Sequence, residues 1–85
     1  MKKRFLVRVK SHRDRNGNTY HNVKIYDNNN GRVYTSGKTY GYGSQWKQTA
    51  NELLKKNRLR TQITYSNSVI DEQQVRTSKA LNFNS

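Results

Sequence analysis

Tyr34-Thr35-Ser36-Gly37-Lys38-Thr39-Tyr40-Gly41-Tyr42-Gly43-Ser44-Gln45-Trp46-Lys47-Gln48-Thr49-Ala50-Asn51-Glu52-Leu53-Leu54 is the stretch around which the chain is organised. It reads as the end of a strand, a Gly-Tyr-Gly turn and then a helix. Ser44 suits the N-cap, where its hydroxyl accepts an orphan N–H of the first turn. Trp46, Ala50, Leu53 and Leu54 follow at i, i+4, i+7 and i+8, the spacing of one helical face. Trp46 is the only tryptophan and Leu53-Leu54 the only Leu-Leu pair. A core therefore forms where this face meets a sheet.

The residues before the helix supply that sheet. Residues 5–10 alternate, with Phe5, Val7 and Val9 on one side and Leu6, Arg8 and Lys10 on the other. Asn16-Gly17 is a strong hairpin signal, since both residues tolerate positive φ. Residues 19–27 form a second strand, with Thr19, His21, Val23 and Ile25 inward and Tyr20, Asn22, Lys24 and Tyr26 outward. Asn28-Asn29-Asn30-Gly31 is another turn. In a third strand over residues 32–39, Val33 and Thr35 continue the inner face, and Arg32, Tyr34, Ser36 and Lys38 the outer one. The expectation is an α+β fold: a three-stranded antiparallel β-meander followed by one packed helix over residues 45–56. Asn57 suits a left-handed helix stop. Residues 60–65 read as a fourth strand or as an extended segment returning along the sheet. Ser68-Val69-Ile70-Asp71 approximates a capping box before a short helix over residues 71–76. The divisions are a domain over residues 1–66 and a partly ordered extension over residues 67–85, with only Leu81 and Phe83 to bury near its end.

Composition narrows the function. The 85 residues suit one small domain, with 31% hydrophobic residues and a mean hydropathy of −1.22. The absence of cysteine excludes disulfides and thiolate metal sites. No apolar run is long enough to span a bilayer, so the expected location is cytoplasmic. Seventeen Lys and Arg face five Asp and Glu, a net charge of +12. A charge of this size on so small a body draws in polyanions.

Catalytic patterns are missing. Asp14 and Asp27 lie in or beside hairpin turns, Glu52 falls on the solvent side of the helix, and Asp71-Glu72 suits a helix start. No pair is spaced for general acid–base work. His12 and His21 are too few for a metal site without cysteine. The reading is non-enzymatic, with no cofactor, metal or small-molecule substrate. Gly41, Gly43 and Ser44 form a strand-to-helix turn against whose N–H groups a single phosphate would also fit.

The outer sheet face carries the functional expectation. Arg8, Lys10, Tyr20, Lys24, Tyr26, Arg32, Tyr34 and Lys38 interleave cations with aromatic rings, which suits phosphates and bases. Lys2, Lys3 and Arg4 form a basic arm able to reach a neighbouring groove. The same residues also suit a solvent-facing sheet protected against aggregation. Element order, charge and this face resemble, over about Arg4 to Asn57, two DNA-binding families: the APETALA-type domain of plant transcription factors and the arm-binding N-terminal domain of tyrosine-recombinase integrases. The resemblance implies a sheet laid in the major groove, and carries over no base-reading residue. The Asn-rich, Pro-free composition looks like that of small phage proteins, which implies a host cytoplasm. The expected partner is duplex DNA, then RNA. The rival is a phage-type inhibitor or anti-defence module that docks on an acidic host protein and meets no membrane.

Overall fold

The computed structural model describes residues 3–41, 45–77 and 81. It is an α+β fold: one helix on one face of a mixed five-stranded sheet. The elements in order are β1 (Phe5–Arg13), β2 (Thr19–Asp27), β3 (Arg32–Thr35), β4 (Thr39–Tyr40), α1 (Gln45–Lys56) and β5 (Ser68–Gln74). Across the sheet the order is β3-β2-β1-β5, with β4 also paired to β2.

The helix forms as its spacing predicts. Trp46, Ala50 and Leu54 are buried and Leu53 is half-buried. They meet Phe5, Val7 and Val9 of β1, Val23 and Ile25 of β2, and Ile63. His21 joins this layer as a buried polar side chain. Its Nδ1 lies 3.1 Å from the Gly41 carbonyl and its Nε2 2.7 Å from Thr49 Oγ1. The carbonyl can only accept, so Nδ1 donates to it, and Thr49 Oγ1, which can donate or accept, partners Nε2. Strand and helix are thereby joined through one ring.

The two hairpins differ in a way that decides which side chains share a face. The first closes at Arg13↔Thr19 around a five-residue connection, Asp14 to Asn18, so odd residues stand opposite odd ones, as in Val7↔Ile25. Asp14 shapes it by accepting from the N–H groups of Asn16 and Asn18, both at 2.9 Å. The second closes at Asp27↔Arg32 around four residues, so odd stands opposite even, as in Ile25↔Tyr34. The expected face assignment of β3 is therefore inverted. Tyr34 and Arg32 lie on the helix side, and Val33 and Thr35 lie outside.

A bulge then restores the parity. Ser36 N donates to Val23 O at 2.9 Å, and Thr39 pairs with His21. From one contact to the next β2 moves two residues while the edge strand moves three. The extra residue is absorbed at Gly37, whose φ of 76° a side chain would resist. Lys38 and Tyr40 consequently return to the outer face.

One expectation for the second half is corrected. Residues 71–76 are not a helix: Ser68 to Gln74 form β5, parallel to β1 from Phe5↔Ser68 to Ser11↔Gln74. The edge of β1 away from β2 carries a full row of backbone groups that need partners, and Val69-Ile70 brings β-branched residues to that edge. The residues read as an extension thus complete the sheet. Residues 60–65 make no ladder. They return without a regular element, held by side chains: Asn51 Oδ1 accepts from Ile63 N at 2.7 Å, and Asn67 Oδ1 from Thr64 N at 2.9 Å. Leu81 is buried and its carbonyl accepts from Asn22 Nδ2 at 2.7 Å, while Phe83 lies outside the described residues. No described helix is long and apolar enough to cross a membrane.

Candidate nucleic-acid interface

The face of the sheet away from α1 is built in cross-strand rows, because paired residues on neighbouring strands point the same way. At one end stand Val69, Leu6, Tyr26 and Val33, one from each of β5, β1, β2 and β3. All four are exposed, from 37% for Leu6 to 51% for Val69. The next row is Asp71, Arg8, Lys24 and Thr35, and then come Gln73, Lys10 and Asn22. At the far end His12, Tyr20 and Tyr40 adjoin.

The far end is the most organised part. The rings of Tyr20 and Tyr40 meet edge to face at 5.5 Å, with their planes 77° apart. Lys38 Nζ stands 4.5 Å from the centre of the Tyr20 ring. Tyr40 remains 61% exposed. Beside this group Leu81 covers Asn22, so the open face divides into the tyrosine cluster and the rows led by Arg8 and Leu6.

Six of the eight expected contact residues share this face: Arg8, Lys10, Tyr20, Lys24, Tyr26 and Lys38. Two do not, and the four-residue hairpin is the reason. Tyr34 is half-buried on the helix side and packs against the core. Arg32 sits beside Asp27 on that same side, at the base of the turn.

The basic arm is also corrected. Lys2 lies outside the described residues, but Lys3 and Arg4 are docked. Lys3 Nζ donates to the carbonyls of Tyr65 and Ser66 at 3.3 and 2.7 Å. Arg4 holds the wholly buried carboxylate of Asp27 with Nε and Nη2, both at 3.3 Å, and reaches Thr61 Oγ1 at 3.2 Å with Nη1. Its guanidinium lies 4.8 Å from the Phe5 ring centre. A short chain beside a buried acid becomes a clamp.

Of the phosphate turn, Gly43 and Ser44 lie outside the described residues. Gly41 is buried with φ of 151°, and a Cβ there would meet Gln45 Oε1 at 2.5 Å and His21 Cε1 at 3.1 Å. Its described role is close packing beneath the helix. The carboxylates are dispersed: Asp14 shapes a turn, Asp27 is clamped, and Glu52 accepts from Gln48 Nε2 at 3.4 Å. Asp71 and Glu72 are on opposite faces of β5, as alternation requires.

Sequence reading placed Leu6 and Tyr26 on this face but missed Tyr40, Val33 and Val69, and with the last two the apolar row. The apolar row depends on a parallel pairing that no local signal announces. Tyr40 had a signal in principle, being an aromatic residue close to Lys38, but its face depends on the bulge at Gly37. No family model matches this chain, and neither curated proteins nor solved structures gave a match.

Proposed function

We propose that the protein is a non-enzymatic nucleic-acid-binding module that uses its open sheet face. Arg8, Lys10, Lys24 and Lys38 meet phosphates, and Tyr20, Tyr26 and Tyr40 meet bases or sugars. The observation that carries this is the tyrosine cluster. Tyr40 is held against Tyr20 yet largely exposed, with a lysine over the neighbouring ring, so an aromatic platform and a cation are presented together. Stacking on such a ring contributes on the order of 1–3 kcal/mol per base.

Sheet width argues for a single strand ahead of a duplex. Four strands spaced at about 4.8 Å span roughly 14 Å between their axes, and the major groove is only about 12 Å wide. A face of that width suits an extended strand whose bases are splayed onto rings. Binding of labelled single-stranded DNA, RNA and duplex, measured from about 50 to 200 mM salt, tests the proposal. Four phosphate contacts give a log–log slope of roughly −3 on single strands. Arg8→Gln with Lys38→Gln should flatten it by roughly 1.4, whereas Tyr40→Ala should lower affinity and leave the slope alone. Absence of binding at the lowest salt, or affinity indifferent to salt, refutes the proposal.

The apolar row favours a second reading, a protein partner. Val69, Leu6, Tyr26 and Val33 would bury an apolar segment, and Arg8 and Lys24 in the adjacent row would meet acidic flanks. In that case Leu6→Asp abolishes partner binding, and Tyr40→Ala leaves it intact.

A further inference from the structure

Among the described non-glycine residues, Arg58 alone has a positive φ, 65°. It follows α1 in a Schellman stop. Arg58 N donates to Lys55 O at 3.0 Å and Leu59 N to Leu54 O at 2.9 Å, which places Arg58 at the position glycine ordinarily occupies. A Cβ is disfavoured in that conformation, and a strained residue is a pointer to function. Arginine offers the stop nothing that glycine lacks, except its guanidinium.

That guanidinium has company. Lys47, Lys55, Arg58 and Arg60 line a groove of about 1080 Å³ between α1 and the returning segment at Thr61. The one acid on its walls, Glu52, is already bonded to Gln48. Lys55, Arg58 and Arg60 are exposed, and their side chains have no ion pair or hydrogen bond among the described residues. Lys47 Nζ lies 4.4 Å from the ring centre of Tyr65, which is 64% exposed. The helix dipole accounts for Lys55, in the last turn. It also favours Arg58, at the stop itself, but does not account for Arg60 farther along the chain, or for the tyrosine.

We propose that this groove is a second polyanion site that takes the phosphate backbone of a nucleic-acid strand, so that one molecule holds two strands, one against each layer. The proposal rests on the nucleic-acid reading of the sheet face. Guanidinium groups bind phosphate in bidentate fashion, and Tyr65 beside Lys47 repeats the cation-and-ring pairing seen at Lys38 and Tyr20. The body measures 23 × 21 Å across its shorter dimensions. Strands on opposite layers are then separated by more than the Debye length of about 8 Å at physiological salt, so their mutual repulsion is screened.

The test uses the full chain and single-stranded DNA. Stoichiometry is titrated, and capture of a labelled oligonucleotide by beads carrying an unlabelled one is measured. The groove variant Lys55→Gln/Arg58→Gln/Arg60→Gln should drop from two strands per protein to one and lose bead capture. The sheet variant Arg8→Gln/Lys10→Gln/Lys24→Gln/Lys38→Gln should retain one strand through the groove. Arg58→Gly separates binding from folding, because it should raise the melting temperature while reducing capture. A groove variant with the parent's stoichiometry and capture overturns the proposal. So does bridging that tracks self-association of the protein, measured by sedimentation without DNA. If the sheet variant binds poly-glutamate but no oligonucleotide, the groove is a peptide site and the proposal falls. If the sheet variant behaves as the parent and the groove variant binds nothing, the sheet reading fails, and with it the two-strand claim. If the parent binds no DNA, both fail.

Discussion

Replacing Arg4 by alanine should strongly destabilise the protein, although the residue lies in a run of basic residues that looks expendable. Asp27 is wholly buried, and Arg4 supplies two of the hydrogen bonds to its carboxylate. Among the described residues one more comes from Asn29 N at 2.9 Å. Removing one partner of a buried pair costs about 3–5 kcal/mol, because the other charge is left uncompensated. Arg4 is 29% exposed, so water can enter part of its place. The low end, about 3 kcal/mol, is therefore expected. A domain of this length has roughly 4–13 kcal/mol in all. At about 4–8 °C per kcal/mol the melting temperature should fall by roughly 12–24 °C. Thermal unfolding followed by circular dichroism provides the measurement, within a double-mutant cycle that includes Asp27→Asn. In the Asp27→Asn background, Arg4→Ala should cost only about 1 kcal/mol, for lost packing on Phe5 and the lost bond to Thr61. If Arg4→Ala melts within about 4 °C of the parent while weakening nucleic-acid binding, Arg4 is a free arm and the clamp is wrong.

Two further predictions concern placement. Tyr34→Ala should cost about 2–3 kcal/mol, since the ring packs on the core, whereas Val33→Thr on the exposed face should stay within about 0.5 kcal/mol; urea unfolding of both variants checks the register of β3. Leu54→Ala should cost about 3–5 kcal/mol and the half-buried Leu53→Ala less than half of that, which equal midpoint shifts in the same assay would contradict.

The helix and the first two strands were legible because their signals are local. Trp46, Ala50 and Leu54 repeat at the helical period, and Phe5, Val7 and Val9 alternate. Their burial follows from spacing alone. The third strand was not legible to the same degree. Asn-Gly marks a turn, but the face on which Tyr34 emerges depends on whether the connection holds an odd or an even number of residues. Composition does not reveal that count. Lys38 reached the outer face by a different route from the one expected, through the bulge at Gly37. Residues 71–76 were misread because Asp71, Glu72, Gln73 and Gln74 are at home in helices, and a weak local preference yields to an unfilled strand edge. The basic arm was misread because a buried aspartate 23 residues away claims Arg4.

The pairing of β1 with β5 sets an order of events during synthesis. β1 emerges from the ribosome early and can zip to β2 as soon as their short turn is out. Its other edge must wait for β5, and until then it offers unpaired backbone to any passing chain. Contacts between segments so far apart along the chain must close a longer loop than a hairpin does, which slows folding. The closing step is therefore the late arrival of Ser68 to Gln74. Cells that make this protein quickly expose an unfinished sheet for as long as that step takes, and truncation before β5 should yield an aggregating product.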